Sequence, residues 1–321
     1  MADTPTRDAK VRDRKVRRLF SAAIANLPTG LSNSQLDYLC ANLGKVGAAV
    51  NDAIVGLLPT AWLDCLVQDE CKAHLAFFGQ KFDLSLFAAT LKRIGEDRIS
   101  QWNKLGFEPH FFPEWRFMPD TDIPGWKVKP EDWFWQNLAL GNLKRRNAAG
   151  ELVTVIQASF DGQTLLVDRQ YKPSYDNGRQ MFANDALIGG VIAKLRKEGK
   201  IARYEFGLQE SRFGISSREW EEYVRPALDS LPEFKGFVNF RLESVLEANS
   251  IPQMLEHMPR RKDGQTNVWI WYEEYIGGAS HRLSGGNSDY GRLADVSCTE
   301  VDFHWRCRAV RPVGVLDSRT V

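Results

Sequence analysis

The side chains best suited to chemistry lie near the end of the chain, in the segment from His281 to Leu316, which we call the C-terminal arm. After a Gly-Gly pair, this arm mixes hydrogen-bonding side chains with rigid aromatic rings. Antibody loops use the same combination, because Tyr and Trp supply contact area at a low cost in conformational entropy. We therefore predict a ligand-binding surface formed by Asn287, Ser288, Asp289, Tyr290, Arg292, Thr299, Asp302, His304 and Trp305.

A plainer interpretation of the arm stays open. It could be a solvent-exposed turn followed by an edge strand, whose arginines discourage pairing with another chain. Phosphate binding is a weaker hypothesis. Side chains alternate between the two faces of a strand, so we expect Arg306 and Arg308 on one face and Arg311 on the other. A single basic groove is therefore not expected.

Catalytic signatures are weak throughout the chain. The sequence contains no GxSxG, P-loop, HExxH or DxDxDG pattern. Glu273 and Glu274 could pair with Asp289 for glycoside chemistry, but the sequence does not give the separation of these carboxylates. His74 lies near Cys71 without further ligands at metal-binding spacing, which favours a structural histidine. We predict no catalytic residue, metal site or cofactor, and leave enzymatic activity as an alternative.

Composition is that of a globular protein. The chain has 321 residues, 43% of them hydrophobic and 26% charged, and a formal net charge of +1. These values argue against disorder and against electrostatic attraction of the whole molecule to nucleic acid or anionic lipid. The apolar stretch 46–66 is interrupted by polar residues and Pro59, so we expect no membrane span. Five cysteines without a CxxC pair, and no secretory signal, lead us to expect reduced thiols and a cytoplasmic location.

The N-terminal segment is rich in basic residues. It could touch nucleic acid, or it could be the solvated face of a first helix. We favour the helix, because no aromatic side chains interleave the charges. The residues that would contact nucleic acid are Arg12, Arg14, Lys15, Arg17 and Arg18.

Apolar spacing predicts helices up to residue 105. Leu84, Phe87, Leu91 and Ile94 form one stripe, which Trp102 can extend. Proline and tryptophan then dominate residues 106–135. This composition indicates an ordered connector pinned by its aromatic side chains, with an aromatic ligand platform as the alternative.

Strand and helix signals mix in the rest of the chain. Asp161-Gly162 between two β-prone runs predicts a hairpin. Residues 185–198 form an amphipathic helix that Gly199 should cap, and Ser216 with Glu219 makes a capping box. Strands are expected at 236–242 and, unless it is a short helix, at 267–275. Without regular βαβ alternation, this half is predicted to be α+β with an antiparallel sheet.

The C-terminal arm also carries a family resemblance. Trp269 and Trp271 precede the sequence Arg282-Leu283-Ser284-Gly285-Gly286, and the arm closes on the segment 305–311, WRCRAVR. This order resembles the C-terminal end of the C-type-lectin-like fold in bacterial domains of the formylglycine-generating-enzyme type. Residues 120–315 also look like a group of bacterial open reading frames, through PGWKV at 124–128, YDNG at 175–178 and SRFGIS at 211–216.

The resemblance implies a recognition scaffold. In this fold class, the variable proteins of diversity-generating retroelements place their diversified ligand-binding residues in the same stretch, which corresponds here to about 287–305. Formylglycine-generating enzymes use a close cysteine pair that Cys298 and Cys307 do not match. The HxxxHxE iron site of related sulfoxide synthases has no counterpart either, so neither oxidase activity is implied.

These inferences combine into one hypothesis. We predict an α+β protein with a helical N-terminal domain at 1–105, a Trp/Pro-rich connector at 106–150 and a mixed or antiparallel C-type-lectin-like domain at 151–321. The predicted function is ligand binding through the C-terminal arm, in the manner of a retroelement-diversified variable protein. The alternatives are an enzyme of the same fold with its site between the domains, and a nucleic-acid-associated protein acting through the N-terminal basic residues.

Overall fold

The computed structural model describes residues 41, 61–147, 149–170, 182, 185–255, 269–286 and 293–316. Contacts divide the chain into two units, Met1–Thr60 and Ala61–Val321, and the elements below belong to the second. The predicted nucleic-acid contacts Arg12, Arg14, Lys15, Arg17 and Arg18 lie outside the described residues. None of the helices in the described ranges has the length and apolar character needed to cross a membrane.

Helices and strands alternate irregularly along this unit. The helices are α1 (Ala61–Phe78), α2 (Ser85–Ile94), α3 (Glu96–Lys104), α4 (Asp132–Ala139), α5 (Ala186–Lys197), α6 (Ser217–Glu219), α7 (Arg225–Asp229) and α8 (Val245–Met254). A π-helical turn, Trp220–Val224, joins α6 to α7. The strands are β1 (Phe107–Phe112), β2 (Trp115–Phe117), β3 (Leu143–Arg146), β4 (Leu152–Thr154), β5 (Ala158–Phe160), β6 (Gln163–Asp168), β7 (Val238–Leu242), β8 (Trp269–Ile276), β9 (His281–Gly285), β10 (Val296–Glu300), β11 (Arg308–Ala309) and β12 (Pro312–Leu316).

The strands form a mixed α+β arrangement. One sheet has the order β1-β6-β12-β7 and is antiparallel throughout. The larger sheet has the order β10-β9-β8-β3-β4, with β11 added in parallel to β8. Strands β2 and β5 make a small antiparallel pair. The α+β class is thus confirmed, and strands β9 to β12 place the C-terminal arm in both larger sheets.

Several local predictions hold. Helix α5 ends in a Schellman motif, in which Gly199 has φ of 71° and the Lys200 N–H donates to the Leu195 carbonyl at 3.0 Å. Ser216 and Glu219 form the expected capping box at the start of α6. The strand predicted at 236–242 is β7, and the aromatic stretch near 269 is strand β8 rather than a helix.

The predicted hairpin at Asp161-Gly162 is wrong. Gly162 does adopt positive φ, 66°, as a tight turn requires. However, β5 before the turn pairs with β2, whereas β6 after it pairs with β1 and β12. Strand β6 is buried along nearly its whole length because it has a neighbour on each side, so the turn connects two sheets instead of two strands of one.

The predicted stripe from Leu84 to Trp102 is divided between two helices. Gly95 adopts φ of 88° between α2 and α3, which ends the first helix and starts the second. Both helices still pack into one cluster, because Phe87, Leu91 and Trp102 share it with Trp271 of β8.

Packing crosses the predicted domain limits at residues 105 and 150. Strand β1, from the predicted connector, pairs with β6, and β3 pairs with β8. The two largest hydrophobic clusters among the described residues both combine helical residues with residues of the sheets. Trp126 and Trp135 of the connector are buried, and their indole N–H groups donate to Asn249 Oδ1 and to the Pro130 carbonyl. The connector is therefore part of the core.

Candidate ligand-binding site in the C-terminal arm

The structure describes part of the predicted ligand-binding set. Thr299 lies in β10, and Asp302, His304 and Trp305 lie in the loop of residues 301–307 that joins β10 to β11. We call this the 301–307 loop. The remaining predicted residues, Asn287, Ser288, Asp289, Tyr290 and Arg292, are outside the described residues.

The 301–307 loop presents a pair of exposed aromatic rings. Trp305 stacks on Trp269 of β8, with ring centroids 6.2 Å apart and planes inclined by 20°. Phe303 meets Trp305 edge to face, also at 6.2 Å. Phe303 is 46% exposed and Trp305 is 39% exposed. Large side chains that are this exposed and also packed on one another form a patch, which is the usual mark of a contact surface.

Backbone pairing explains the stacking of the two tryptophans. The Trp269 N–H donates to the Cys307 carbonyl at 2.9 Å, and Arg308 is opposite Trp269 in the parallel pairing of β11 with β8. The Arg308 N–H donates to the Trp305 carbonyl at 3.0 Å, which closes a turn. This turn brings the Trp305 ring over the first residue of β8.

Beneath these rings lies the guanidinium of Arg308. Its Cζ is 4.3 Å from the ring centroid of Trp271, 5.2 Å from that of Trp305, and 6.0 Å from those of Trp269 and Phe303. The residue is only 1% exposed. Burial lowers the pKa of Arg308 to about 10, so the side chain stays cationic at neutral pH. The aromatic patch therefore covers a buried positive charge.

The polar side chains of the loop hold it in place. Asp302 Oδ1 pairs with Arg218 Nε at 2.7 Å, and His304 Nε2 lies 2.9 Å from Glu219 Oε2. The hydrogen bond to Glu219 is the main cause that raises the pKa of His304. Asp302 and His304, predicted as ligand-binding residues, thus pair with α6, whereas Trp305 keeps an exposed face.

A second anchor acts from the opposite side. The Tyr204 hydroxyl donates to the Arg306 carbonyl at 2.8 Å. The Arg306 guanidinium lies over the Phe206 ring, with Cζ 5.8 Å from its centroid, and Phe206 and Leu208 are themselves exposed. The apolar surface thus continues past the loop, and the loop is tied down at both ends.

The predicted alternation of the late arginines does not hold. Arg306 is exposed, whereas Arg308 and Arg311 are both buried. Strand β11 spans only Arg308–Ala309, so the regular alternation expected of one continuous strand is interrupted before β12. Arg308 packs among aromatic rings, and Arg311 pairs with Glu243.

The candidate carboxylates of β8 are structural. Glu273 pairs with Arg282 at 3.0 Å, and Glu274 pairs with Arg145 at 2.7 Å. Both side chains are buried, and burial raises the pKa of Glu273. Each carboxylate is thus occupied by an arginine, and Asp289, the third carboxylate of the glycoside hypothesis, lies outside the described residues.

A cavity of about 410 Å³ elsewhere in the unit holds the clearest group of titratable side chains. It is lined in part by Glu70, Glu108 and His110. Glu70 Oε2 is 2.8 Å from His110 Nδ1, and its Oε1 accepts from the Phe111 N–H at 2.8 Å. Burial acts to lower the pKa of His110, but the charges and hydrogen bonds of Glu70 and Glu108 together outweigh it and raise that pKa to about 9. The imidazole of His110 is thus the positively charged partner of Glu70 in a buried ion pair.

His74 completes the same cluster. Its Nε2 lies 2.8 Å from the Phe111 carbonyl oxygen and 3.3 Å from Glu70 Oε1, and the residue is fully buried. These contacts tie α1 to β1, as expected of a structural histidine. Within the described part of the chain, no group of three or more His, Cys, Asp or Glu side chains could hold a metal ion.

No family model, curated protein or solved structure matches this chain. The exposed aromatic pair and the arginine beneath it therefore define the site by geometry alone. Of its members, sequence reasoning found Trp305 but missed Phe303 and Arg308 as partners. The sequence signal was the close spacing of aromatic and basic residues from 303 to 308.

Proposed function

We propose that this chain is a ligand-binding protein whose recognition surface is the 301–307 loop and the neighbouring part of the C-terminal arm. The observation that carries the proposal is the exposed pair Phe303 and Trp305, of which Trp305 stacks on Trp269. Single exposed apolar residues are common on protein surfaces, but a packed aromatic patch is not.

Rigidity of the loop supports the same proposal. The Asp302–Arg218 and His304–Glu219 contacts hold the loop on α6, and Tyr204 holds its far end. A surface that is ordered before binding loses little conformational entropy when it captures a ligand. These contacts hold the backbone of the loop in place for recognition, while the exposed Phe303 and Trp305 rings can still change rotamer.

The scaffold that we propose is the C-type-lectin-like one, used as in the variable proteins of diversity-generating retroelements. Its support is the sequence resemblance around Arg282–Gly286 and Trp305–Arg311, together with an α+β arrangement in which the arm contributes strands to the larger sheet. Under this proposal, residues 287–305 vary among close relatives while the buried residues of β8 and β9 do not. Sequencing of close relatives tests it: variation spread evenly along the chain would remove the retroelement part.

The binding proposal is tested with the full chain on arrays of immobilised glycans and peptides. Trp305→Ala and Phe303→Ala should lose at least tenfold in affinity for any ligand that the wild type retains. Leu140→Ala is the matched control, because Leu140 is 73% exposed at the end of α4 and its truncation removes apolar surface elsewhere. Equal binding by all of these variants would contradict the proposal.

A further inference from the structure

Buried arginines in the described residues have oxygen acceptors, with one exception. Five arginines are buried there, and four of them donate to carboxylates or backbone carbonyls: Arg196, Arg212, Arg282 and Arg311. The fifth is Arg308. The contrast is informative because all five guanidinium groups are removed from water to a similar degree.

The acceptors of the four are specific. Arg196 donates to backbone carbonyls, among them those of Ser211 and Phe213 at 2.8 Å. Arg212 donates to Asp168 and Asp185, and Arg282 donates to Glu221 and Glu273. Arg311 pairs with Glu243 and donates to the Asp168 carbonyl. Each buried charge is thus matched by oxygen.

The guanidinium of Arg308 packs against aromatic rings, whereas those of the other four buried arginines contact oxygen atoms. Its Nε and Nη1 atoms are buried and have no hydrogen-bond partner in the described structure. Ring faces attract the cation, but they do not accept hydrogen bonds as an oxygen does, and the guanidinium carries five N–H donors. Buried donors without acceptors are rare in folded proteins and destabilise them.

We propose that Arg308 is the anchor for an oxyanion of the ligand, a carboxylate or phosphate carried on a flat, apolar group that Phe303 and Trp305 cover. This inference rests on the proposed function, because it assigns a ligand class to the same surface. The oxyanion supplies the missing acceptors, and the aromatic rings supply contact area for the group that bears it.

The outer walls of the site allow access. Trp271 is fully buried and forms the floor, whereas Phe303 and Trp305 are on the surface side. Exposed side chains change rotamer on the picosecond to nanosecond timescale, so the outer rings can move aside without disturbing the core. The carboxylates of Asp302 in the loop and of Glu219 in α6 are paired with Arg218 and His304, which offsets their repulsion of an anion.

Thermal unfolding of the full chain tests ligand class. The probes are benzoate, phenyl phosphate and the uncharged benzamide, each titrated at constant ionic strength. We expect a saturable rise in Tm with benzoate or phenyl phosphate and none with benzamide, and the more effective anion identifies the headgroup. Arg308→Met should abolish the rise. The absence of a saturable rise with either anion, or an equal rise in Arg308→Met, would overturn the inference.

Stability without ligand provides an independent test with a matched control. Arg308→Met replaces an unsatisfied buried charge with an apolar side chain, so its Tm should equal or exceed that of the wild type. Arg311 is equally buried and three positions away but has oxygen acceptors, so Arg311→Met should lower Tm. If Arg308→Met lowers Tm as much as Arg311→Met, or fails to fold, Arg308 is structural and the inference is wrong.

The outcomes separate this inference from the proposed function. Suppose that the glycan or peptide bound by the wild type on the arrays is no longer bound by Trp305→Ala but is still bound by Arg308→Met. The proposed recognition surface is then supported, and the role of Arg308 as an oxyanion anchor is ruled out. If Trp305→Ala retains the array ligand as well, the proposed function itself fails.

Discussion

Trp305 lies on Trp269 with ring planes only 20° apart, although the two residues are far apart in the sequence. The contact joins the 301–307 loop to the first residue of β8. It leaves the Trp305 ring partly exposed and packs it on a residue at the beginning of β8. The inner rings of this cluster belong to the fold, and the outer rings are available to a ligand.

That division predicts different costs for two tryptophan substitutions. Trp305→Ala removes a ring that is partly in water and should lower the free energy of unfolding by about 1 kcal/mol. Trp271→Ala leaves a cavity in the core, where the indole N–H donates to the Ile215 carbonyl, and should cost about 3–5 kcal/mol. Urea unfolding of both variants measures the difference. Similar losses would show that Trp305 is a core residue.

Gly285, the first residue of the Gly-Gly pair, packs closely against the backbone of Asp295 and the side chain of Tyr272. A Cβ atom there would lie 2.0 Å from the Asp295 carbonyl oxygen and 2.6 Å from the Tyr272 hydroxyl. Backbone cannot move aside cheaply, so Gly285→Ala should destabilise the protein by more than about 2 kcal/mol. Gly278→Ala is the control, because a Cβ there meets nothing within 4 Å. A Gly285→Ala protein as stable as the control would refute this account of the pair.

Helix α5 contains adjacent glycines with opposite surroundings. A Cβ atom added at Gly190 would meet nothing within 4 Å, so Gly190→Ala should stabilise the protein by about 0.5–1 kcal/mol through helix propensity. Gly189 faces the Glu210 carbonyl oxygen, 3.1 Å from where its Cβ would lie, so Gly189→Ala should gain less or lose stability. Thermal unfolding of the two variants compares them directly. The opposite order would mean that α5 packs differently.

The Glu70–His110 pair predicts a pH dependence of stability. The folded-state pKa of His110, about 9, lies above its ordinary value of 6.5. The stability that protonated His110 contributes to the folded state is therefore fully present below about pH 6.5 and is lost as the pH rises through 9. This stabilisation is on the order of 3 kcal/mol. Burial tends to raise the pKa of Glu70, but its contacts with His110 and His74 together outweigh burial and lower that pKa to about 2, so the stability that the Glu70 carboxylate contributes is lost as the pH falls from about 4.5 through 2.

Urea unfolding between pH 6 and pH 10 checks the alkaline side. The difference in unfolding free energy between wild type and His110→Gln should be largest near pH 6 and shrink above pH 9. Glu70→Gln removes the partner carboxylate and should show the same trend. A difference that does not change with pH would rule out the ion pair as its source.

His304 gives a local test of the loop anchor. Its hydrogen bond with Glu219 raises the pKa of the imidazole above the ordinary value, so Glu219→Gln should lower that pKa. The stabilisation from the His304–Glu219 contact is fully present below about pH 6.5 and is lost as the pH rises through the raised pKa of His304. Histidine ring signals in an NMR titration report the pKa directly. Asp302→Asn is the comparison: the charge of Asp302 also raises the His304 pKa, but less than the hydrogen bond with Glu219 does, so this variant should lower the pKa by a smaller amount. An unchanged His304 pKa in Glu219→Gln would contradict the anchor.

Much of the local structure follows from the sequence alone. The spacing of apolar residues and the glycine at 199 predicted helix α5 and its C-terminal cap, and Ser216 with Glu219 predicted the start of α6. These features depend on neighbours within a few residues. The α+β class and Trp305 as a surface residue of the C-terminal arm also came from the sequence, because composition and alternation are local properties.

Only the tertiary structure decided which distant residues meet. The Asp161-Gly162 turn was correctly placed but joins two sheets, since strand partners depend on the whole sheet order and not on the turn. Asp302 and His304 pair with α6, and Arg308 enters an aromatic cluster instead of sharing a face with Arg306. Sequence determined which side chains the C-terminal arm carries. The pairing of β11 with β8 decided which of them remain on the surface and which are buried, because burial depends on contacts with residues far along the chain.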